Sequence, residues 1–187
     1  MSLSLAPNET VKQATGATFG LGLQFLAFTD FLLLGVWLGS MMFFSFAVAP
    51  SAFAVLPSRH LAGLIVASTL VKVEVIGLAI GISLLLIQII KTRTRAASGK
   101  LNFLFLTIML ATTAALRFWI SPAMNTLRLA MGNEIDNVPV TDPLRVQFND
   151  LHQYSVSLMG TAILAGLALL FFTVRGWLLS SQQKSNS

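Results

Sequence analysis

The residues best placed to do chemistry are charged side chains set in apolar stretches: Asp30, Lys72, Glu74 and Arg117. A charge near the centre of a bilayer costs at least ~2.5–3.5 kcal/mol on insertion scales, so such groups pair or line a wet cavity. Glu74 precedes the end of its run near Ile90, and Arg117 follows the start of the next near Lys100. At 1.5 Å per helical residue these offsets are roughly 24 and 26 Å, level on antiparallel helices. The spacing predicts a Glu74–Arg117 ion pair, which either fixes helix register or belongs to a transport or proton-relay site. Lys72 lies two residues from Glu74 and so on a nearly opposite face, free to reach the headgroups. Asp30 can simply begin a helix at the interface.

The two histidines, His60 and His152, are the other candidates. Phe148, Leu151, His152, Ser155 and Met159 follow helical spacing and form one stripe, expected to face inward. Met124, Met131 and Met159 lie near in sequence, and imidazole with thioether suits copper, above all the reduced ion. The metal candidates are therefore His152, His60 and Met124. Bis-histidine ligation of haem is a second possibility. Neither histidine has a ligand at i+4, so the plainer reading is a hydrogen-bonded His152 at a helix start and a solvated His60. No nucleophile elbow, phosphate-binding glycine loop or zinc-protease motif is present, and no catalytic residue is assigned.

The elements that position these groups follow from composition. The chain of 187 residues is 55% hydrophobic and 10% charged, with mean hydropathy +0.79. Soluble domains carry about 25% charged residues, so lipid must be the solvent for much of this chain. It has no cysteine, which excludes disulfides, thiolate metal sites and iron–sulfur clusters. The net charge of +5 does not imply nucleic acid, because the basic residues flank apolar runs.

Four spans are expected, at about 25–49, 61–90, 101–120 and 151–178, within a domain covering 21–179. Pro50 and Pro57 mark the exit of the first. Thr141-Asp142-Pro143 can start the fourth helix well before the membrane. Residues 121–150 read as a loop, and 1–20 and 180–187 as polar tails without a signal-peptide pattern. Lys91, Arg93, Arg95 and Lys100 make the second connection cytoplasmic under the positive-inside rule. Both termini then lie inside, in the cytoplasmic (inner) membrane of the cell. Gly35 and Gly39, and Gly77 and Gly81, are spaced to let helices approach closely, within one bundle or in a homo-oligomer. No internal repeat is evident.

Three segments, WLGSMMFFSFAVAPSAFAVLPSRHLAG (37–63), RFWISPAMNTLR (117–128) and FNDLHQYSVSLM (148–159), resemble the transmembrane protein 205-like family. Its bacterial branch is a domain of unknown function. The resemblance implies a four-helix membrane fold and carries over Gly39, Pro50, Arg117, Pro122, Arg128, Phe148, His152 and Ser155. Met159 departs from a frequent asparagine. More distantly the chain is similar to copper resistance protein D-like and HemJ-like membrane proteins, which implies copper or haem.

The expectation is an all-α, antiparallel four-helix membrane bundle. A polar cluster of Glu74, Arg117, Arg128, Asp150, His152 and Ser155 at its outer end would bind a metal ion, an anion or another small ligand. An accessory subunit of a membrane complex and a haem-binding redox protein are the alternatives.

Overall fold

The computed structural model describes residues 7–93, 99–132 and 135–185, the side chains of 7–20, 23, 180, 181 and 183–185 excepted. Every described secondary-structure element is helical. Helix α1 (Pro7–Phe43) passes through a π turn, Phe44–Val48, into α2 (Ala49–Val55). Helix α3 (Arg59–Arg93) returns. Helix α4 (Lys100–Ala115) passes through a second π turn, Leu116–Ile120, into α5 (Ser121–Ala130). Helix α6 (Pro143–Ser185) follows a short 3-10 turn, Ile135–Asn137. Four helical stretches, Gln24–Val55, Arg59–Arg93, Lys100–Ala130 and Pro143–Leu179, are long and apolar enough to cross a membrane. Large apolar side chains such as Phe25, Phe46, Trp119, Leu164 and Phe171 point outward. Only a hydrocarbon solvent makes that arrangement favourable.

The four spans form a ring in which each packs on the next: α1 on α3, α3 on α4, α4 on α6, and α6 on α1. Trp37, Leu84, Leu106, Met109 and Leu116 fill the centre. One end carries Lys91, Arg93 and Lys100 and is called basic here; the opposite, distal end carries the connections around 56–58 and 131–142.

Four expected boundaries change. The first helix does not stop at Pro50; it runs on to Val55. The third does not stop at Ile120, so the expected loop 121–150 shrinks to 131–142, of which Asn133 and Glu134 lie outside the described residues. The supposed polar tail is helical from Pro7, and α6 continues to Ser185. Arg95 lies outside the described residues. Proline usually breaks a helix because it lacks an N–H and its ring meets the carbonyl four residues back. Here each proline follows a π turn. The Ala49 N–H bonds to the Phe44 carbonyl and the Ser121 N–H to the Leu116 carbonyl, both five residues back. The widened turn accommodates Pro50 and Pro122 without ending the helix. The start at Pro143 is as expected: Asp142 Oδ1 accepts the Leu144 N–H at 2.8 Å and caps α6.

The matching π turns expose a repeat that the sequence reading missed. Asp30–Pro50 aligns with Asn102–Pro122 at a constant offset of 72 residues. Phe31/Phe103, Leu32/Leu104, Leu34/Leu106, Leu38/Leu110, Phe46/Phe118 and Pro50/Pro122 are identical. Burial follows the same register: Asp30/Asn102, Leu34/Leu106, Trp37/Met109, Met41/Thr113 and Phe44/Leu116 are all buried. The equivalent polar residues have equivalent roles. Asp30 pairs with Lys91 of α3 at 2.5 Å, and Asn102 donates to Thr173 of α6 at 3.3 Å. Each ties its helix to a neighbour near the basic end.

Candidate functional site

Glu74 is the most deeply buried ionisable residue described, at 1% exposure. Helical periodicity puts it on the face of α3 that also carries Gly77 and Gly81. Lys72, two residues away, is exposed, as opposite faces require. The expected partner is not the one found. Glu74 Oε1 accepts a hydrogen bond of 2.7 Å from the Ser121 hydroxyl. No ion pair joins Glu74 to Arg117; the Arg117 charge acts on it only through space. The reason is the π turn. Arg117 lies inside it, half-buried, while the extra residue in the turn redirects Ser121 toward the bundle centre.

Glu74 Oε2 is buried and has no hydrogen-bond partner. The same is true of the Trp37 indole N–H. Both residues line one cavity of about 10 Å³, together with Met41, Val73, Thr113, Leu116 and Met159. All four spans contribute, so the cavity lies on the bundle axis. A volume of this kind holds roughly one water. The site therefore offers a carboxylate acceptor, an indole donor and two thioethers to one small guest. The indole is fixed by α3: a Cβ on Gly77 would fall 2.6 Å from Trp37 Nε1, and one on Gly81 would fall 2.8 Å from Trp37 Cη2. Only glycine at both positions leaves room for the ring.

Residues 32–133, a little over half of the chain, match a domain of unknown function, DUF4149. The chain belongs to the DUF4149 family. No curated protein and no solved structure matches it. The DUF4149 region holds Trp37, Glu74, Thr113, Ser121 and Arg128, and ends before α6.

The rest of the expected cluster is divided by this DUF4149 fold. Ser155 is buried at 8% and Met159 at 8%, on the inward stripe of α6. His152 is exposed, against expectation. It lies roughly 60° round the helix from Ser155 at 100° per residue, on the rim of that stripe, where no other helix covers it. Asp150 is exposed on a face still further round. Met124 is half-buried on α5, and His60 is half-buried in the first turn of α3. Among the described residues no three His, Asp or Glu side chains are grouped so that they could hold a metal ion. Arg128 is buried, at 7% exposure, far from Glu74. Gly63, which its guanidinium approaches, is eleven residues from Glu74 on α3, or about 16 Å along the helix.

The glycines also sort differently. Gly77 and Gly81 pack inside the bundle, whereas a Cβ on Gly35 or Gly39 would meet nothing within 4 Å. Gly35 and Gly39 face outward and do not close helix contacts within the chain.

Two features of this region escaped the sequence reading. Ser121 was passed over because serine in a helix is common and nothing local marks its target. Trp37 was read as an interior residue of a span. The signal that could have found both was the aligned proline pair, Pro50 and Pro122, which places their segments in register.

Proposed function

We propose that this membrane protein binds a small monovalent cation or ammonia inside the bundle, with Glu74 as the carboxylate that holds it. The observation that carries this reading is the pairing of two unspent groups, Glu74 Oε2 and the Trp37 N–H, on one water-sized cavity. An unmet buried polar group costs about 1–3 kcal/mol, and more when charged. A guest with both a donor and a lone pair, such as ammonia, would meet both groups, whereas a bare cation would meet the carboxylate alone. Interrupted helices at corresponding positions of two repeats mark binding sites in membrane carriers, and π turns gather at functional sites. Here both interruptions lie on the spans that line the cavity.

A second reading, a soft monovalent ion such as reduced copper, is favoured by the Met41 and Met159 thioethers on the same cavity. It moves the metal away from His152, His60 and Met124. The finer kinship to transmembrane protein 205-like proteins rests on the three motifs at helix ends. A cytoplasmic location for both termini, in the cytoplasmic membrane, rests on Lys91, Arg93 and Lys100 at the basic end. Association with further membrane helices is supported by the outward Gly35 and Gly39.

The test uses Trp37 as its own reporter. Trp119 and Trp177 are exposed, so replacing both with Phe leaves Trp37 as the emitting indole in the full chain. Titration with ammonium, sodium, potassium and reduced copper should give a saturable emission change with at least one, abolished by Glu74→Gln. No saturable response to any of the four, with helical circular dichroism intact, refutes the proposal.

A further inference from the structure

Arg128 presents a separate problem. It lies two residues before the end of α5, at the distal end of the bundle, and is 7% exposed. Its guanidinium carbon stands 5.7 Å from the centroid of the Phe148 ring. Its Nη2 is 3.4 Å from where a Cβ on Gly63 would sit. Among the described residues it has no hydrogen bond and no ion pair. Arg145, by contrast, donates to the Val138 carbonyl. A buried cation without a counter-charge is strongly unfavourable, and a ring face offsets only part of that.

Among the described residues the surroundings supply no acid that pairs with it. The first turn of α3 contains no acidic residue; it is capped by the neutral Ser58 hydroxyl, which accepts the Leu61 N–H at 3.2 Å. His60, one turn before Gly63 on the same face of α3, has a buried Nδ1 with no partner. The described acids of the distal region are directed elsewhere: Asp142 caps α6, and Asp136 and Asp150 are exposed. Gly63 puts no side chain over the guanidinium, which packs against its backbone.

We propose that Arg128 and His60, beside the side-chain-free backbone of Gly63, form a binding site for a phosphate-bearing anion. The planar guanidinium fork matches two phosphate oxygens, and His60 adds a third donor. The level favours this chemistry, because the end of a spanning helix meets the phosphate layer of the bilayer. A lipid headgroup and free phosphate share the recognised group. The site uses none of the residues that line the Glu74 cavity and stands whether or not that reading holds.

The test is thermal unfolding of the full chain in detergent with four additions. These are phosphatidylglycerol, digalactosyl diacylglycerol (the same acyl region without phosphate), inorganic phosphate, and no addition. Phosphatidylglycerol should raise the midpoint saturably, and the galactolipid should not. Arg128→Gln should weaken the apparent affinity by about tenfold or more, the scale of a lost charge-assisted pair. Should Arg128→Gln fail to fold, Gly63→Val keeps the guanidinium, sets methyl groups against its Nη2 and should weaken the affinity similarly. An equal shift with inorganic phosphate assigns the site to the free anion. Equal shifts with both lipids, or none with either phosphate source, overturn the proposal. So does a phosphate response unchanged in the variants.

Discussion

Replacing Gly77 with Ala tests the central packing directly. The added Cβ would fall 2.6 Å from Trp37 Nε1 and 3.2 Å from Trp37 Cδ1. Ordinary carbon contacts are ~3.5–4.0 Å, so the ring must move by about 1 Å. It has nowhere to go. Trp37 is 1% exposed, and its far edge is already held over Gly81. Overpacking of this kind costs about 1–3 kcal/mol. Against it stands the gain of about 1 kcal/mol when alanine replaces glycine within a helix. The net expectation is a loss of up to about 2 kcal/mol, or up to roughly 8 °C in unfolding midpoint for a chain of this size. Gly39→Ala is the internal control. It has the same chemistry in the same bundle, but its Cβ meets nothing within 4 Å. Its midpoint should stay level or rise. The assay is circular dichroism against temperature for the two variants and wild type in one detergent. A Gly77→Ala protein as stable as Gly39→Ala would refute the placement of Trp37 against α3, and with it the geometry of the cavity.

Two further outcomes follow from the polar residues. Asp30→Asn removes one partner of the buried Lys91 pair, whose side chains are 4% and 15% exposed; unfolding stability should fall by up to about 3 kcal/mol, and Lys91→Gln added to it should recover part of the loss. His152→Ala should change stability by less than about 0.5 kcal/mol, as exposed positions do; a cooperative loss of fold on thermal melting would show that His152 has a partner the structure does not give it.

Much of the bundle was legible because lipid imposes a simple rule on sequence. A span needs about twenty apolar residues, and four such runs stand out. Helical periodicity alone sent Lys72 and Glu74 to opposite faces. The Asp142-Pro143 start of α6 was legible because capping is local, involving residues two apart. Depth arithmetic brought Glu74 level with the third span, but it named the wrong partner. It counted a uniform rise per residue, and the π turn Leu116–Ile120 changes which side chain points inward. The same arithmetic could not find Asp30–Lys91, a pair 61 residues apart. Nor could it tell Gly77 and Gly81, under the indole, from Gly35 and Gly39, on the outer face, since both pairs have the same spacing.

By itself, then, the sequence determined four apolar helices, their alternation in direction and the faces on which the rare charges lie, because these depend on hydrogen bonding and solvent transfer along one chain. The tertiary structure decided which faces meet. That choice belongs to the ring order of the four spans and to the two π turns. It put the residues of an unpaired indole N–H and an unpaired carboxylate oxygen on one cavity, left Arg128 buried with no counter-charge among the described residues, and turned His152 outward.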